Sequence, residues 1–142
     1  FHIQADIEFS EFLSSQTRFA ANVFDNYDGK QTGMMLYQEL TWRLLTAPVR
    51  ISARYIIFDT DSYDTRIYAY EKDVLYAFSI PALSGQGSRY YLVTAWEITK
   101  SITLYAKWAQ TVLSDTFEQG SGNDRIEGNT RSQLTLKMKV NF

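Results

Sequence analysis

Cysteine is absent from the sequence, histidine occurs once and proline twice. Without cysteine, the chain can form neither a disulfide framework nor a thiolate zinc site. The single histidine, His2, lies among polar residues at the start of the chain, and no G-x-S-x-G turn supplies a serine nucleophile. These absences argue against nucleophilic catalysis, so we predict a protein that is not an enzyme and that holds no cofactor.

The sequence also has little net charge and lacks long apolar runs. The formal net charge of −2 gives no electrostatic reason to expect a nucleic-acid partner. No apolar run approaches the roughly 18 residues of a membrane-spanning helix. The length of 142 residues fits a single domain. The aromatic content of 15 % is high, and it is typical of the interfacial girdles of membrane barrels.

What the sequence has instead is alternation, most clearly in residues 131–142. Successive side chains of a strand point to opposite faces, so alternating apolar and polar residues predict a strand with one apolar face. Ten such residues tilted by roughly 40° cover about 25 Å, the height of the apolar band on an outer-membrane barrel. The alternative is an amphipathic edge strand of a soluble sheet. The apolar face carries Leu134, Leu136, Met138, Val140 and Phe142, and the last residue is aromatic.

Five further segments alternate in the same way, at residues 1–9, 33–45, 49–59, 89–99 and 101–113. Gln38 interrupts the apolar face of the second of these segments. The connections at 46–48 and 99–101 are short, whereas we predict long loops at about 14–32, 59–88 and 114–129. Short turns at one end and long loops at the other are the rule for outer-membrane barrels. The fold class predicted is an all-β, antiparallel, up-and-down transmembrane β-barrel.

Residues 65–80 leave the number of strands open. Two candidate strands, at 65–71 and 74–80, flank a turn at Glu71, Lys72 and Asp73. Both are shorter than the roughly 9–11 residues that a spanning strand needs. If this hairpin spans the membrane, eight strands close a barrel within the chain. If it does not, the chain is the C-terminal part of a larger barrel.

The polar faces of the predicted strands carry charges of both signs, and we expect these charges to line the barrel lumen. Two interpretations remain: an ion-selective channel lined by charged rings, or an interior plugged by paired charges. The apolar faces carry all three tryptophans, Trp42, Trp96 and Trp108, which we predict to lie at the membrane interface. The charged residues predicted to face the lumen are Asp6, Glu8, Glu39, Arg43, Arg54, Glu97, Lys107, Lys137 and Lys139.

Three aspartates after the third strand, Asp59, Asp61 and Asp64, raise the question of a calcium site, because hard cations bind clustered carboxylates. Their spacing lacks the glycine and the distal glutamate of a helical calcium loop. A solvated turn is therefore the simpler interpretation, and no metal site is predicted.

Residues 58–81 and 85–92, together with 120–130 and the terminal strand, resemble a family. They are similar to the C-terminal barrel portion of Bacteroidetes outer-membrane proteins that carry N-terminal helix-hairpin-helix repeats. The resemblance implies an outer-membrane location in a Gram-negative bacterium and a terminal strand recognised by the barrel-assembly machinery. It supplies no catalytic residues.

We therefore predict a non-catalytic outer-membrane β-barrel that acts as a membrane anchor, channel-like barrel, or assembly or transport component. The expected partners are the lipid bilayer, lipopolysaccharide, the barrel-assembly machinery during insertion and a larger outer-membrane complex. Two alternatives come from other classes. One is a small outer-membrane lipase or protease, and the other is a soluble lipocalin-like barrel whose apolar face holds a ligand.

Overall fold

A computed structural model describes residues 1–26, 29–114, 118–119 and 126–141 of the chain. These residues form an almost entirely antiparallel β structure. Its main element is a sheet of seven long strands in which each strand pairs with the next long strand along the chain. This is the up-and-down arrangement that the alternating segments predict. The predicted insertion signal at Phe142 lies outside the described residues.

The main sheet and the short strands around it account for nearly all of the regular structure. The strands β1 and β11 are the two edges of the main sheet and do not pair with each other, so the sheet is open. The strands are β1 (His2–Ser10), β2 (Leu13–Asn26), β3 (Gly29–Arg43), β4 (Val49–Thr60), β5 (Ile67–Tyr68), β6 (Ala82–Leu83), β7 (Gln86–Glu97), β8 (Ile102–Leu113), β9 (Glu118–Gln119), β10 (Ile126–Glu127) and β11 (Thr130–Val140), and β1, β2, β3, β4, β7, β8 and β11 build the main sheet.

The predicted long loop at 14–32 is wrong, because most of it is strand. β2 pairs along its whole length with β3, from Leu13 opposite Trp42 to Asn26 opposite Gly29. The apolar signal was weak because serine, threonine and alanine alternate with polar residues there, and such small side chains give little contrast between faces. The added strand reverses the direction of β1 relative to the predicted arrangement.

The seven strands define two ends of the sheet. The connections at 11–12, 44–48 and 98–101 lie at one end, here called the short-turn end. The connections at 27–28, 61–85 and 114–129 lie at the other, here called the long-loop end. The loop at 114–129 lies largely outside the described residues.

Residues 61–85 form an inserted segment that folds back onto one face of the main sheet. Neither of the predicted strands at 65–71 and 74–80 joins that sheet. Instead, β5 pairs with β6, and Glu71 forms an isolated bridge with Ser79. The hairpin therefore does not supply two spanning strands, because its charged and buried side chains are held by the face of the sheet and not by an edge.

The two faces of the main sheet have opposite chemistry. The covered face, against which the inserted segment packs, holds the apolar core near the long-loop end and buried charged residues further along. The core is made of Ala20, Met35, Tyr37, Ile56, Phe58, Ile67, Ala69 and Leu83. The opposite face, here called the open face, bears exposed apolar side chains. Since side chains alternate along a strand, this division follows directly from the period of two.

Helical structure is confined, within the described residues, to a short 3-10 turn at Tyr63–Thr65. No helix in that part of the chain has the length and apolar character needed to cross a membrane.

Candidate functional site

The inserted segment is tied to the sheet at its beginning by Asp61. The Asp61 carboxylate accepts hydrogen bonds from the Thr32 backbone N–H at 2.6 Å and from the Thr32 hydroxyl at 2.9 Å. These two donors lower the pKa of the Asp61 carboxyl below its usual value, because they stabilise its charged form. Asp61 thus acts as a hydrogen-bonding anchor, and no group of three or more metal-binding side chains occurs among the described residues.

Close packing at Gly33 also fixes the start of the segment. A Cβ atom at position 33 would lie 2.2 Å from the backbone oxygen of Thr65, which is far inside van der Waals contact. Only glycine lets the two backbones approach so closely. Beyond this point, Thr65, Ile67, Ala69 and Glu71 turn towards the sheet and are buried.

The first charged contact is the Glu39 cluster, which joins β3, β4, β7 and the inserted segment. Glu39 is 3 % exposed, and its carboxylate accepts hydrogen bonds from Arg54 Nε at 2.8 Å and from the Tyr91 hydroxyl. Lys72 of the inserted segment reaches the same carboxylate at 2.8 Å and donates to the Thr41 hydroxyl at 2.6 Å. The carboxylate therefore bridges the sheet to the segment.

Arg54 extends the Glu39 cluster to the backbone of the segment. Its Nη1 atom donates to the Tyr70 carbonyl at 2.6 Å. The guanidinium lies 3.9 Å from the centroid of the Tyr37 ring, within the range of a cation–π contact. Hydrogen bonds, an ion pair and an aromatic face therefore hold this buried cation in one place.

The second charged contact is the Glu71 cluster. Glu71 is fully buried, and Arg89 on β7 contacts its two carboxylate oxygens at 2.5 and 2.9 Å. Lys107 on β8, which is 1 % exposed, lies 3.1 Å from Glu71 and 3.0 Å from Asp73. Arg89 also donates to the Thr111 hydroxyl at 2.7 Å. Two acidic residues of the segment therefore meet two basic residues of the sheet.

Together, the two clusters connect the inserted segment to the covered face of the sheet. Three carboxylates lie among four cationic side chains, and the consecutive residues Glu71, Lys72 and Asp73 supply the segment's share. Removing one partner from a buried ion pair leaves the other charge buried and uncompensated, which typically lowers the free energy of unfolding by about 3–5 kcal/mol. The arrangement can hold the segment in one position.

Of the nine charged residues predicted to face the lumen, three lie in these clusters: Glu39, Arg54 and Lys107. The other six lie outside them. Asp6 accepts hydrogen bonds from the side chains of Gln4 and Gln16, at 2.8 and 2.7 Å. Lys137 lies 5.1 Å from the centroid of the Tyr76 ring in the inserted segment. Glu8, Arg43 and Glu97 are exposed near the short-turn ends of their strands, and Lys139 is half-buried on β11.

The predicted apolar residues lie on the open face. Leu134, Leu136, Met138 and Val140 are exposed there, opposite the open-face residues of β8, and Leu136 is 71 % exposed. All three tryptophans are exposed on this face as well. Trp42 and Trp96 lie near the short-turn end of their strands, whereas Trp108 lies near the middle of β8.

Sequence reasoning missed Glu71, Lys72, Asp73, Arg89 and Tyr91 as site residues. The tripeptide Glu71-Lys72-Asp73 was interpreted as a turn. The local sequence pattern does not distinguish a buried acidic residue from a solvated one. The sequence did contain two signals. Three consecutive charged residues lie in an otherwise aromatic and apolar segment. The face predicted to line the lumen also carries basic residues, which require acidic partners if they are buried.

Comparison with models of known protein families, with curated proteins and with solved structures finds no match to this chain. Its function is therefore argued from the geometry of the sheet and the inserted segment.

Proposed function

We propose that this chain is part of a transmembrane β-barrel of the outer membrane of a Gram-negative bacterium, where it acts as a non-catalytic anchor or channel-like barrel. The observation that carries the proposal is the inverted polarity of the two faces. Charged side chains are buried on the covered face, and large apolar side chains are exposed on the open face. Soluble proteins rarely expose contiguous apolar patches beyond a few hundred Å².

The distribution of charge on the open face supports this proposal. Within the described long strands, the charged residues on that face are Asp25, Lys30 and Asp59, and all three lie near the long-loop end. From there to the short-turn end, the face is free of charge. On β3 this zone covers residues 34–42, which at about 3.3 Å per residue and a tilt of roughly 40° span about 23 Å. That height matches the apolar band of an outer-membrane barrel.

The directions of the edge strands bear on barrel size. In this sheet of seven antiparallel strands, the direction reverses from each strand to the next. The first strand, β1, and the seventh, β11, therefore run in the same direction. An even-numbered antiparallel barrel needs an odd number of further strands between these edges. A total of eight strands requires one more, and a larger barrel requires three or more. We propose that further strands complete the barrel.

The position of the inserted segment favours a barrel with a closed interior rather than an open channel. It lies on the face that becomes the inside of such a barrel, and the Glu39 and Glu71 clusters hold it there. An interior filled by side chains conducts poorly, because little space remains for permeating ions. The proposed partners are the lipid bilayer with its lipopolysaccharide, the assembly machinery and a larger membrane complex.

The three tryptophans provide a direct test. The chain has no other tryptophan, so tryptophan fluorescence, excited selectively over that of tyrosine, reports on the open face alone. We expect brominated lipids to quench the fluorescence of the reconstituted protein. Among variants that retain one tryptophan each, Trp108 should be quenched best by bromines deep in the acyl chains, and Trp42 and Trp96 by shallow bromines.

A cell-fractionation experiment complements the fluorescence. The protein should fractionate with the outer membrane, and heat-modifiable migration is expected only when the strands that complete the barrel are present. The proposal is contradicted if brominated lipids do not quench the tryptophan fluorescence and the folded protein stays in solution without detergent. That outcome would favour the soluble ligand-binding barrel.

A further inference from the structure

A cavity of about 690 Å³ lies near the long-loop end, between the inserted segment and the covered face of the main sheet. Small-molecule sites in proteins typically have volumes of about 300–1,000 Å³, so this cavity is large enough for a ligand. The inserted segment contributes residues 78–84 to its lining. The polar part of the lining comes from the sheet and includes Arg89, Thr111, Arg131 and Gln133.

The polar wall of the cavity contains a row of three side chains on neighbouring strands. Arg89 on β7 and Arg131 on β11 both pair with Thr111 on β8, so the three side chains lie side by side on the covered face. Neighbouring strands are about 4.8 Å apart, which places the two arginine backbones roughly 10 Å from each other. Arg89 reaches the middle strand, where its Nη1 atom donates to the Thr111 hydroxyl at 2.7 Å. Two cations therefore flank one hydroxyl at a single level of the sheet.

The row retains hydrogen-bond donors for a ligand. A guanidinium has five N–H groups, and Arg89 uses three of them on Glu71 and Thr111. Thr111 accepts a hydrogen bond from Arg89 and keeps its own hydroxyl proton as a donor. Arg131 is exposed and forms no hydrogen bond or ion pair with the residues that the structure describes.

The charged groups at the cavity wall have one sign. The described residues that line it include two arginines and no acidic residue. Glu71, the carboxylate partner of Arg89, is fully buried and is not part of the lining. An arginine without a carboxylate partner in a partly enclosed site attracts an anion, and the planar guanidinium fork matches the geometry of carboxylate and phosphate groups.

The rest of the cavity wall is mainly apolar, which indicates the chemistry of the remainder of the ligand. Phe78 of the inserted segment packs against Tyr70, with the ring centroids 5.6 Å apart, and is still 74 % exposed. An apolar group that covers this ring removes apolar surface from water, which favours binding. The apolar lining consists mainly of Phe58, Phe78, Ile80, Leu83 and Leu113.

We propose that this cavity binds a small organic anion, one that carries a carboxylate or phosphate group on an apolar body. The anionic group contacts Arg131, Thr111 and the spare N–H groups of Arg89. The apolar body packs against Phe78 and Leu83. The site is built from the covered face and the inserted segment alone, so the inference does not require that the protein spans a membrane.

Calorimetric titration of the whole folded protein tests this site with two probes, phenyl phosphate and 3-phenylpropanoate. Both carry a phenyl ring, and they differ in the anionic group. At least one of them should bind saturably at submillimolar to millimolar concentration. Benzyl alcohol has the same ring without a charge, and it should bind weaker by on the order of tenfold, because it cannot form charge-assisted hydrogen bonds with the arginines.

Arg131→Gln should weaken binding of the anionic probe by on the order of tenfold, because it removes both the charge and the fork. Lys139→Gln is the matched control. It removes the same charge from the same face of β11, at the short-turn end and outside the cavity. This control should bind the probe as the unmodified protein does.

Three results would overturn the proposal. One is the absence of saturable binding of either anionic probe, whether or not the protein enters the outer membrane. Another is equal weakening by Arg131→Gln and Lys139→Gln, since the probe would then respond to overall charge and not to this site. The third is binding of benzyl alcohol as tight as that of the anions, which would indicate a cavity without selectivity for charge.

Discussion

Glu71 has no exposed surface, although a glutamate is among the residues least often buried. It remains inside because Arg89 and Lys107 surround it and Ser79 lies beside it. The sequence around it, Y-E-K-D, has the composition of a solvated turn. At this scale, the chemistry of the site depends on which basic residues the sheet brings to the segment.

Glu71→Gln should release the inserted segment. The amide keeps the shape of the side chain but removes its charge. The buried Lys107 then keeps Asp73 as a carboxylate partner, whereas the buried Arg89 loses the carboxylate that it contacts. We expect a loss of about 3–5 kcal/mol in the free energy of unfolding, measured by denaturant titration of the folded protein in lipid vesicles. Protease cleavage within 61–85 should increase at the same time.

The matched control for this substitution is Glu97→Gln. Glu97 is an exposed acid at the end of β7, and surface substitutions of this kind usually change stability by less than about 0.5 kcal/mol. Equal effects of the two substitutions would show that the Glu71 cluster does not hold the segment.

At the scale of elements, the inserted segment is held by shape as well as by charge. Gly33 on β3 and Thr65 in the segment approach at a distance that no side chain permits. The segment also alternates: Ile67 and Ala69 face the sheet, whereas Tyr68 and Tyr70 face away. A segment that buries one face against the main sheet and exposes an aromatic face cannot also be one of the strands of that sheet.

Gly33→Ala should displace the start of the segment without unfolding the sheet. The new methyl group would overlap the Thr65 carbonyl, and such overpacking typically costs about 1–3 kcal/mol. We expect faster amide hydrogen exchange in residues 61–69.

Gly87→Ala is the comparison for this prediction. A Cβ at Gly87 would meet the Val112 carbonyl at 2.4 Å, between β7 and β8. That substitution should destabilise the sheet, and exchange should increase in β7 and β8. If Gly33→Ala changes exchange in the strands and not in the segment, the close approach at Thr65 does not anchor the segment.

At the scale of the whole molecule, the position of each charge relative to the open face decides whether the protein is compatible with a bilayer. The apolar residues of β11 form the outermost part of this face, and Leu136 is its most exposed member on that strand. The basic residues of the same strand, Arg131, Lys137 and Lys139, take the opposite face.

Leu136→Arg should therefore impair membrane insertion. A lipid-facing arginine near the bilayer centre costs about 2–4 kcal/mol, falling to about 0–1 kcal/mol near the interface. Ser132→Arg places the same charge on the same strand and face, close to the long-loop end, and should be tolerated. Unfolding from lipid vesicles measures both values, and equal costs at the two depths would contradict a membrane-facing open face.

The period of two in the sequence was sufficient to predict six of the seven long strands, and to divide their residues between two faces. Glu39 and Arg54 could be placed on one face and Trp42 on the other, because this division depends only on the local geometry of a strand. β2 was missed because its small side chains blur the contrast between faces.

The sequence by itself determined the all-β architecture, the up-and-down order and the polarity of the faces, since each follows from neighbours along the chain. Only the tertiary structure decided that residues 61–85 lie on the sheet and that Glu71, Lys72 and Asp73 are bound there. Their partners in the sheet are on β3, β7 and β8, and up to 36 residues away in sequence for Lys107 and Glu71. Contacts between such distant residues form only when the sheet is assembled, so no local pattern records them.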